Sequence, residues 1–284
     1  HKKPSGVWIM AYTTIDDPTQ FFNTLLYTGN AADGSSTTQD ITGVGFQPDW
    51  VWLKSRTEAN HHFLVDSVRG ANKGLYSDLT NAENTSTNYL KSFASDGFQV
   101  GPDGVVNANS QSYVSWNWLA GGSASSNSDG DVTSSVSANT TAGFSIVKFT
   151  SSSSSGAMTV GHGLGATPKM VIVKDIAATG NWQVYFEGIG TANQQYLKLN
   201  DTDAVANYSG LWGAGMTSSL IGIGVGVAVD ASESDIAYCF AEKQGYSKFG
   251  QYVGNGNVDG TFVYTGFKPA WVMVKRTDST SDWL

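Results

Sequence analysis

The sequence predicts an all-β protein built of tandem, jelly-roll-like antiparallel β-sandwich modules, and three observations carry that expectation. First, Gly45-Phe46-Gln47-Pro48-Asp49-Trp50-Val51-Trp52-Leu53-Lys54 returns as Gly163-Leu164-Gly165-Ala166-Thr167-Pro168-Lys169-Met170-Val171-Ile172-Val173-Lys174, and again as Gly266-Phe267-Lys268-Pro269-Ala270-Trp271-Val272-Met273-Val274-Lys275. Each proline is followed six residues later by lysine, and the spacing between copies is that of a domain-sized unit rather than a short solenoid repeat. Second, the aromatic and β-branched residues fall in short alternating runs separated by turn residues. Third, charged residues make up only 14% of the 284, with 33 glycines, a balance that suits short strands joined by many turns.

Taken in order, Asp17 before Pro18 is an N-cap and first-turn pair, so a short helix is expected over 18–23. Everything after it reads as extended. Residues 50–54, 170–174 and 271–275 are strands opened by proline, which a strand tolerates at its first residue. Residues 112–118 and 235–241 are corresponding distal strands, and 144–149, 182–186, 196–199 and 221–229 add others at sandwich spacing. The Ser151–Ser155 run reads as a hairpin tip whose length differs between copies.

The expected organisation is two sandwiches in series. Repeat 1 covers 10–122, a Ser/Gly/Asn-rich linker 123–142, repeat 2 143–246, and 247–284 is the start of a third, truncated repeat. Met10-Ala11-Tyr12 reads as a natural start. Phe262, Tyr264, Phe267, Trp271, Met273 and Trp283 are too many apolar side chains to leave in water, so the third repeat should pack on the second, pair with another chain, or promote association.

The net charge of −8 argues against a phosphate-backbone partner, so no nucleic acid is expected. No apolar run approaches the roughly 20 residues that span a bilayer, and no membrane insertion is expected. The single cysteine, Cys239, leaves no intramolecular disulfide and reads as a small apolar core residue.

Candidate site residues are few. His162, in a His-Gly-Leu-Gly turn, is a metal ligand or base on one reading and a satisfied turn residue on the other, which the lack of a second nearby histidine favours. Adjacent His61 and His62 point to opposite faces of a strand. Asp49, Glu58, Asp66 and Glu187 could supply a carboxylate pair for glycoside cleavage, yet no spacing selects one. Asp201 and Asp203 could bind calcium but lack the rest of a ligand pattern. The recurrent Lys54, Lys174 and Lys275 are ligand contacts, or lysines that snorkel from a sheet edge and discourage pairing there. Of nine tryptophans most should be core; Trp182 and Trp212, next to Gly-rich turns, are the candidates for an exposed sugar platform. No cofactor and no bound metal are expected.

The ordered set Tyr27-Thr28-Gly29-Asn30, Gly45 to Lys54 as above, Ser95-Asp96-Gly97-Phe98, Trp116-Asn117-Trp118-Leu119-Ala120-Gly121-Gly122, Thr140-Thr141-Ala142-Gly143-Phe144-Ser145 and Gly161-His162-Gly163-Leu164-Gly165 resembles a domain-of-unknown-function family of tandem β modules found in marine bacteriophage tail-fibre-like and virion structural proteins. The resemblance implies a virion location, other virion proteins as partners, a homo-oligomer, and further family sequence beyond Leu284. It implies no catalytic residues. The function expected is a non-enzymatic virion module, tail-fibre or tail-associated, that displays β-sandwiches for contact with a host surface or glycan. The alternative is a depolymerase acting on the same surface polysaccharide. Duplicated modules whose acidic residues differ favour the first, since repeated weak sites gain avidity while a catalytic site need occur only once.

Overall fold

The computed structural model describes residues 12–190 and 193–284. Met10, with the start read there, and Trp8 lie outside the described residues. The first half contains β1 (Phe22–Thr28), β2 (Gln39–Thr42), β3 (Trp50–Ser55), β4 (Phe63–Asp66), β5 (Lys73–Tyr76), β6 (Asn84–Thr85), β7 (Leu90–Ala94), β8 (Gly97–Val100), the one-turn helix α1 (Gly104–Asn107) and β9 (Ser112–Trp118). The second half contains β10 (Ser125–Asn127), β11 (Ser134–Asn139), β12 (Phe144–Thr150), β13 (Gly156–Gly161), β14 (Met170–Asp175), β15 (Gln183–Phe186), β16 (Gln195–Lys198), β17 (Ala206–Asn207), β18 (Leu220–Val225) and β19 (Ser234–Phe240). It is an all-β fold of antiparallel sheets.

The first large sheet has the order β1-β9-β3-β4-β5-β6, and the second β10-β11-β12-β19-β14-β15-β16-β17. From β12 onward the second repeats the connectivity of the first, strand for strand, and Pro48 and Pro168 each stand two residues before the corresponding strands β3 and β14. Small sheets cover the outside: β2-β8-β7 in the first half and β13-β18 in the second.

Side-chain alternation explains why the strand runs are apolar without a polar face. Val51, Leu53, Phe63 and Val65 point to the core shared with β8, while Trp50, Trp52 and Leu64 point the other way. In the second half Val171, Val173, Ala237 and Cys239 face β13-β18, and Met170, Ile172, Ile236 and Tyr238 face the first half. The two large sheets therefore pack face to face over a common core in which Trp50 stacks on Tyr238 at 4.5 Å and on Phe144 at 5.6 Å. Each such aromatic is worth about 1.5–3 kcal/mol in burial alone. Four layers result, with the halves joined broadly rather than strung in series.

Four local expectations need correction. The helix expected over 18–23 is a single 3-10 turn, Pro18–Gln20, capped by Asp17, because β1 pairing with β9 begins at Phe22 against Trp118. The stretch read as a linker carries β10 and β11, and β11 pairs with β12 through six residues. The serine run after β12 is no hairpin tip: β12 and β13 lie in different sheets, so it crosses between layers. Residues 271–275 are not a strand, although Val274 and Leu284 exchange both backbone hydrogen bonds (2.8 and 2.9 Å). Of the apolar residues of 247–284, Trp271, Met273 and Trp283 pack on the common core, whereas Phe262 and Tyr264 stay exposed.

Candidate functional site

The tryptophans chosen as sugar platforms are both fully buried. Trp182 lies at the contact of the two halves, its indole N–H donating to the Tyr76 carbonyl at 2.9 Å and the Leu79 carbonyl at 3.2 Å. Trp212 sits under β18 and donates to the Gln195 carbonyl at 3.0 Å. Neither offers a ring face to a ligand. His162 is also buried: Nε2 reaches the Thr217 carbonyl at 3.2 Å and Nδ1 accepts from Leu164 N–H at 3.3 Å, which assigns the neutral Nε2–H tautomer. Burial pushes its pKa down, in keeping with that neutral form. Asp201 and Asp203 are partly exposed and both face Lys198, at 3.6 and 2.8 Å; the Lys198 hydrogen bond holds Asp203 below its ordinary range. Among the described residues no group of three or more His, Cys, Asp or Glu is placed to hold a metal.

Of the four carboxylates considered for glycoside cleavage, three are spent on structure. Asp49 is buried and accepts from Ser67 Oγ (2.9 Å), Ala120 N–H (2.9 Å) and Gly122 N–H (3.1 Å), tying the end of β9 to the start of β3. Asp66 pairs with Arg69 Nε at 2.5 Å, both side chains inaccessible to solvent. Glu187 pairs with Lys169, and Glu58 is exposed. His61 meets Asp78 at 2.7 Å, while His62 Nδ1 accepts the indole N–H of Trp52 at 2.9 Å.

The recurrent lysines do not guard edges, since β3 and β14 are interior strands. Lys54 and Lys174 fold back on the loop that follows them, while Lys275 bridges its own loop to Thr202. Lys54 Nζ donates to the carbonyls of Ser55 (2.8 Å) and Glu58 (3.2 Å), Lys174 Nζ to those of Asp175 and Ala178, and Lys275 Nζ to those of Arg276 (2.9 Å) and Thr202 (3.1 Å). An ammonium with three donors suits a loop whose carbonyls have no ladder partner. Sequence reasoning missed this role, although the fixed lysine-to-loop spacing was its signal.

What the surface does offer is a groove of about 310 Å³ where the chain before β1 meets the joint after β19. Tyr12 and Tyr264 line it, each more than half exposed, with Glu242, Gln244, Ser247 and Lys248 as polar neighbours. Lys248 Nζ donates to Glu242 Oε1 at 2.8 Å, and Phe249 N–H to Oε2 at 3.2 Å; against the desolvation of partial burial, these hold Glu242 below its usual range. The neighbouring Tyr12 phenol raises the pKa of Tyr264. Tyr12 fits against Gly266, where a Cβ would stand 2.4 Å from the phenol oxygen. Two aromatic rings beside a fixed ion pair and an amide can stack on an apolar ring face and hydrogen-bond its hydroxyls. Neither tyrosine was selected from the sequence, because exposure, not residue type, distinguishes them from the core aromatics.

Fold and surface together define a multilayer antiparallel β protein whose polar core groups serve structure. The chain belongs to the family described as Domain of unknown function (DUF7483), whose model matches residues 17–284. No curated protein and no solved structure matches it. Among the described residues, no helix is long and apolar enough to cross a membrane.

Proposed function

We propose that the chain is a non-enzymatic structural module of a phage virion, tail-fibre or tail-associated, built by tandem duplication of one β-sandwich unit, and that it contacts a host-surface glycan through the Tyr12–Tyr264 groove. The observation that carries the binding role is the pairing of two exposed rings with the Glu242–Lys248 ion pair in one groove. Duplication is supported by the common strand order of the two large sheets. The non-enzymatic reading is supported by the carboxylates: of the four candidates Asp49 and Asp66 are inaccessible and Glu187 is paired with Lys169, which leaves exposed Glu58 without a second free carboxylate among them. A glycan array probed with the wild-type protein and with Tyr264→Ala, alongside a reducing-sugar release assay on retained polysaccharides, tests both parts. Retention lost in Tyr264→Ala without sugar release is the expected outcome. Equal retention by the variant removes the groove from the function, and sugar release replaces this reading with the depolymerase.

A further inference from the structure

Beside the longer bond from Trp182 Nε1 to the Leu79 carbonyl, three hydrogen bonds join the loop after β14 to the first half. Trp182 Nε1 donates to the Tyr76 carbonyl, Gly180 N–H to the Thr80 carbonyl, and Glu83 N–H to the Ile176 carbonyl, each at 2.9 Å. Three others join the 276–283 loop to the second half: Trp283 Nε1 donates to the Lys198 carbonyl, Ser281 N–H to the Thr202 carbonyl, and Val205 N–H to the Thr277 carbonyl, again each at 2.9 Å.

The two sets are the same contact made twice. On the loop side Trp182 to Trp283, Gly180 to Ser281 and Ile176 to Thr277 are all steps of 101 positions. On the receiving side Tyr76 to Lys198, Thr80 to Thr202 and Glu83 to Val205 are all steps of 122. Tyr76 and Lys198 are the last residues of the corresponding strands β5 and β16. Four of the six bonds use backbone N–H groups, so the contact tolerates sequence change in its loops and fixes only the indole.

We infer that each module receives the next through this repeated loop-to-strand-end contact, and that the modules turn about the common core rather than extend in a line: the equivalent residues Trp50, Met170 and Trp271 all pack on that core, and Trp271 of the third segment meets Trp118 of the first at 5.5 Å. A contact between two different surfaces, repeated by the same operation, curls back on itself when its rotation returns toward the start, and the meeting of the first module with the third segment fits such a turn. Lys174 and Lys275 hold the inserting loops by their own carbonyls, so the lysine after each proline-led strand positions the donors. The loop of the first module is chemically different. Arg56, Thr57 and Glu58 are exposed there, and His62 replaces the indole and is engaged by Trp52 of its own module.

The inference rests on the modular reading but not on any ligand, and its test involves no glycan. Hydrogen exchange on the full chain should find the amides of Glu83, Gly180, Val205 and Ser281 all protected. Trp182→Phe, which keeps the ring and removes the donor, should speed Glu83 and Gly180 roughly five- to tenfold, and Trp283→Phe should do the same for Val205 and Ser281. Unprotected Val205 and Ser281 in the wild type, or a Trp283→Phe variant whose effect falls elsewhere, would overturn the repeated contact.

Discussion

The phenol of Tyr238 donates to Asp66 Oδ2 at 2.7 Å, across the packed faces of the two large sheets, and this bond ties residues from opposite halves inside an apolar core. Asp66 is already held from its own half: Oδ1 accepts from Val68 N–H (3.0 Å) and Arg69 N–H (2.8 Å), and Oδ2 from Arg69 Nε (2.5 Å). Arg69 reaches on to Glu83 at 3.2 Å and the Lys73 carbonyl at 3.1 Å. The network is satisfied on nearly every side, which is what lets a charge pair persist without solvent.

Removing parts of it should therefore have unequal costs. Tyr238→Phe deletes one donor and leaves Asp66 paired, for a loss of about 1–2 kcal/mol. Arg69→Met strands a buried carboxylate and should cost about 3–5 kcal/mol. Urea unfolding of the two variants checks the order; equal losses would mean that Arg69 and Asp66 do not depend on each other.

The second half buries a less settled group. Asp235 on β19 lies opposite Asp175 on β14, and neither of its oxygens has a hydrogen-bond partner; the Ser151 hydroxyl beside it is spent on the carbonyls of Asp230 and Glu233. Burial first, and the Asp175 charge second, push the Asp235 carboxyl up to about 8. Because the folded state then binds a proton that the unfolded state has lost, stability should fall as pH rises from about 4 to about 8. Lys174 works in the opposite direction: burial lowers it to about 8, so between pH 8 and its ordinary 10.5 the unfolded state holds the extra proton and stability recovers. Chemical denaturation across pH should show a minimum near 8, and Asp235→Asn should remove the acid-side slope. A flat profile in the wild type would exclude this account.

Why the sequence revealed the fold so much better than the surface follows from these same residues. Proline-led strands, alternating aromatics and the recurring lysine are local patterns, and local patterns specify strands and their order. Whether Trp182 or Tyr264 faces water depends on what a distant segment does: the carbonyls of Tyr76 and Leu79 come from the first half of the chain to cover Trp182. The same holds for the segment 123–142, whose serine and asparagine content reads as a linker but whose Val136 and Ser137 side chains are buried once β11 pairs with β12. Tertiary pairing overrides composition there.

The Gly222-Ile223-Gly224 alternation on β18 shows a further such dependence and makes a sharp prediction. The loop carrying Trp212 lies flat across that strand, with Gly222 N–H donating to the Gly215 carbonyl at 2.7 Å and Gly224 N–H to the Leu211 carbonyl at 2.8 Å. A Cβ at 224 would stand 2.2 Å from the Gly210 carbonyl oxygen, and one at 222 would stand 2.4 Å from that of Trp212. Both obstacles are backbone, so neither can swing away as a side chain would. Gly224→Ala should lift the loop and loosen Trp212, at a cost of about 3 kcal/mol. Gly34→Ala, with a positive φ of 71° but open space around the added carbon, should cost only about 1 kcal/mol. Thermal unfolding compares the two, and near-ultraviolet circular dichroism reports whether the Trp212 environment changes in the first alone. A Gly224→Ala variant as stable as Gly34→Ala, with its aromatic signal intact, would show that the loop does not need the bare strand surface.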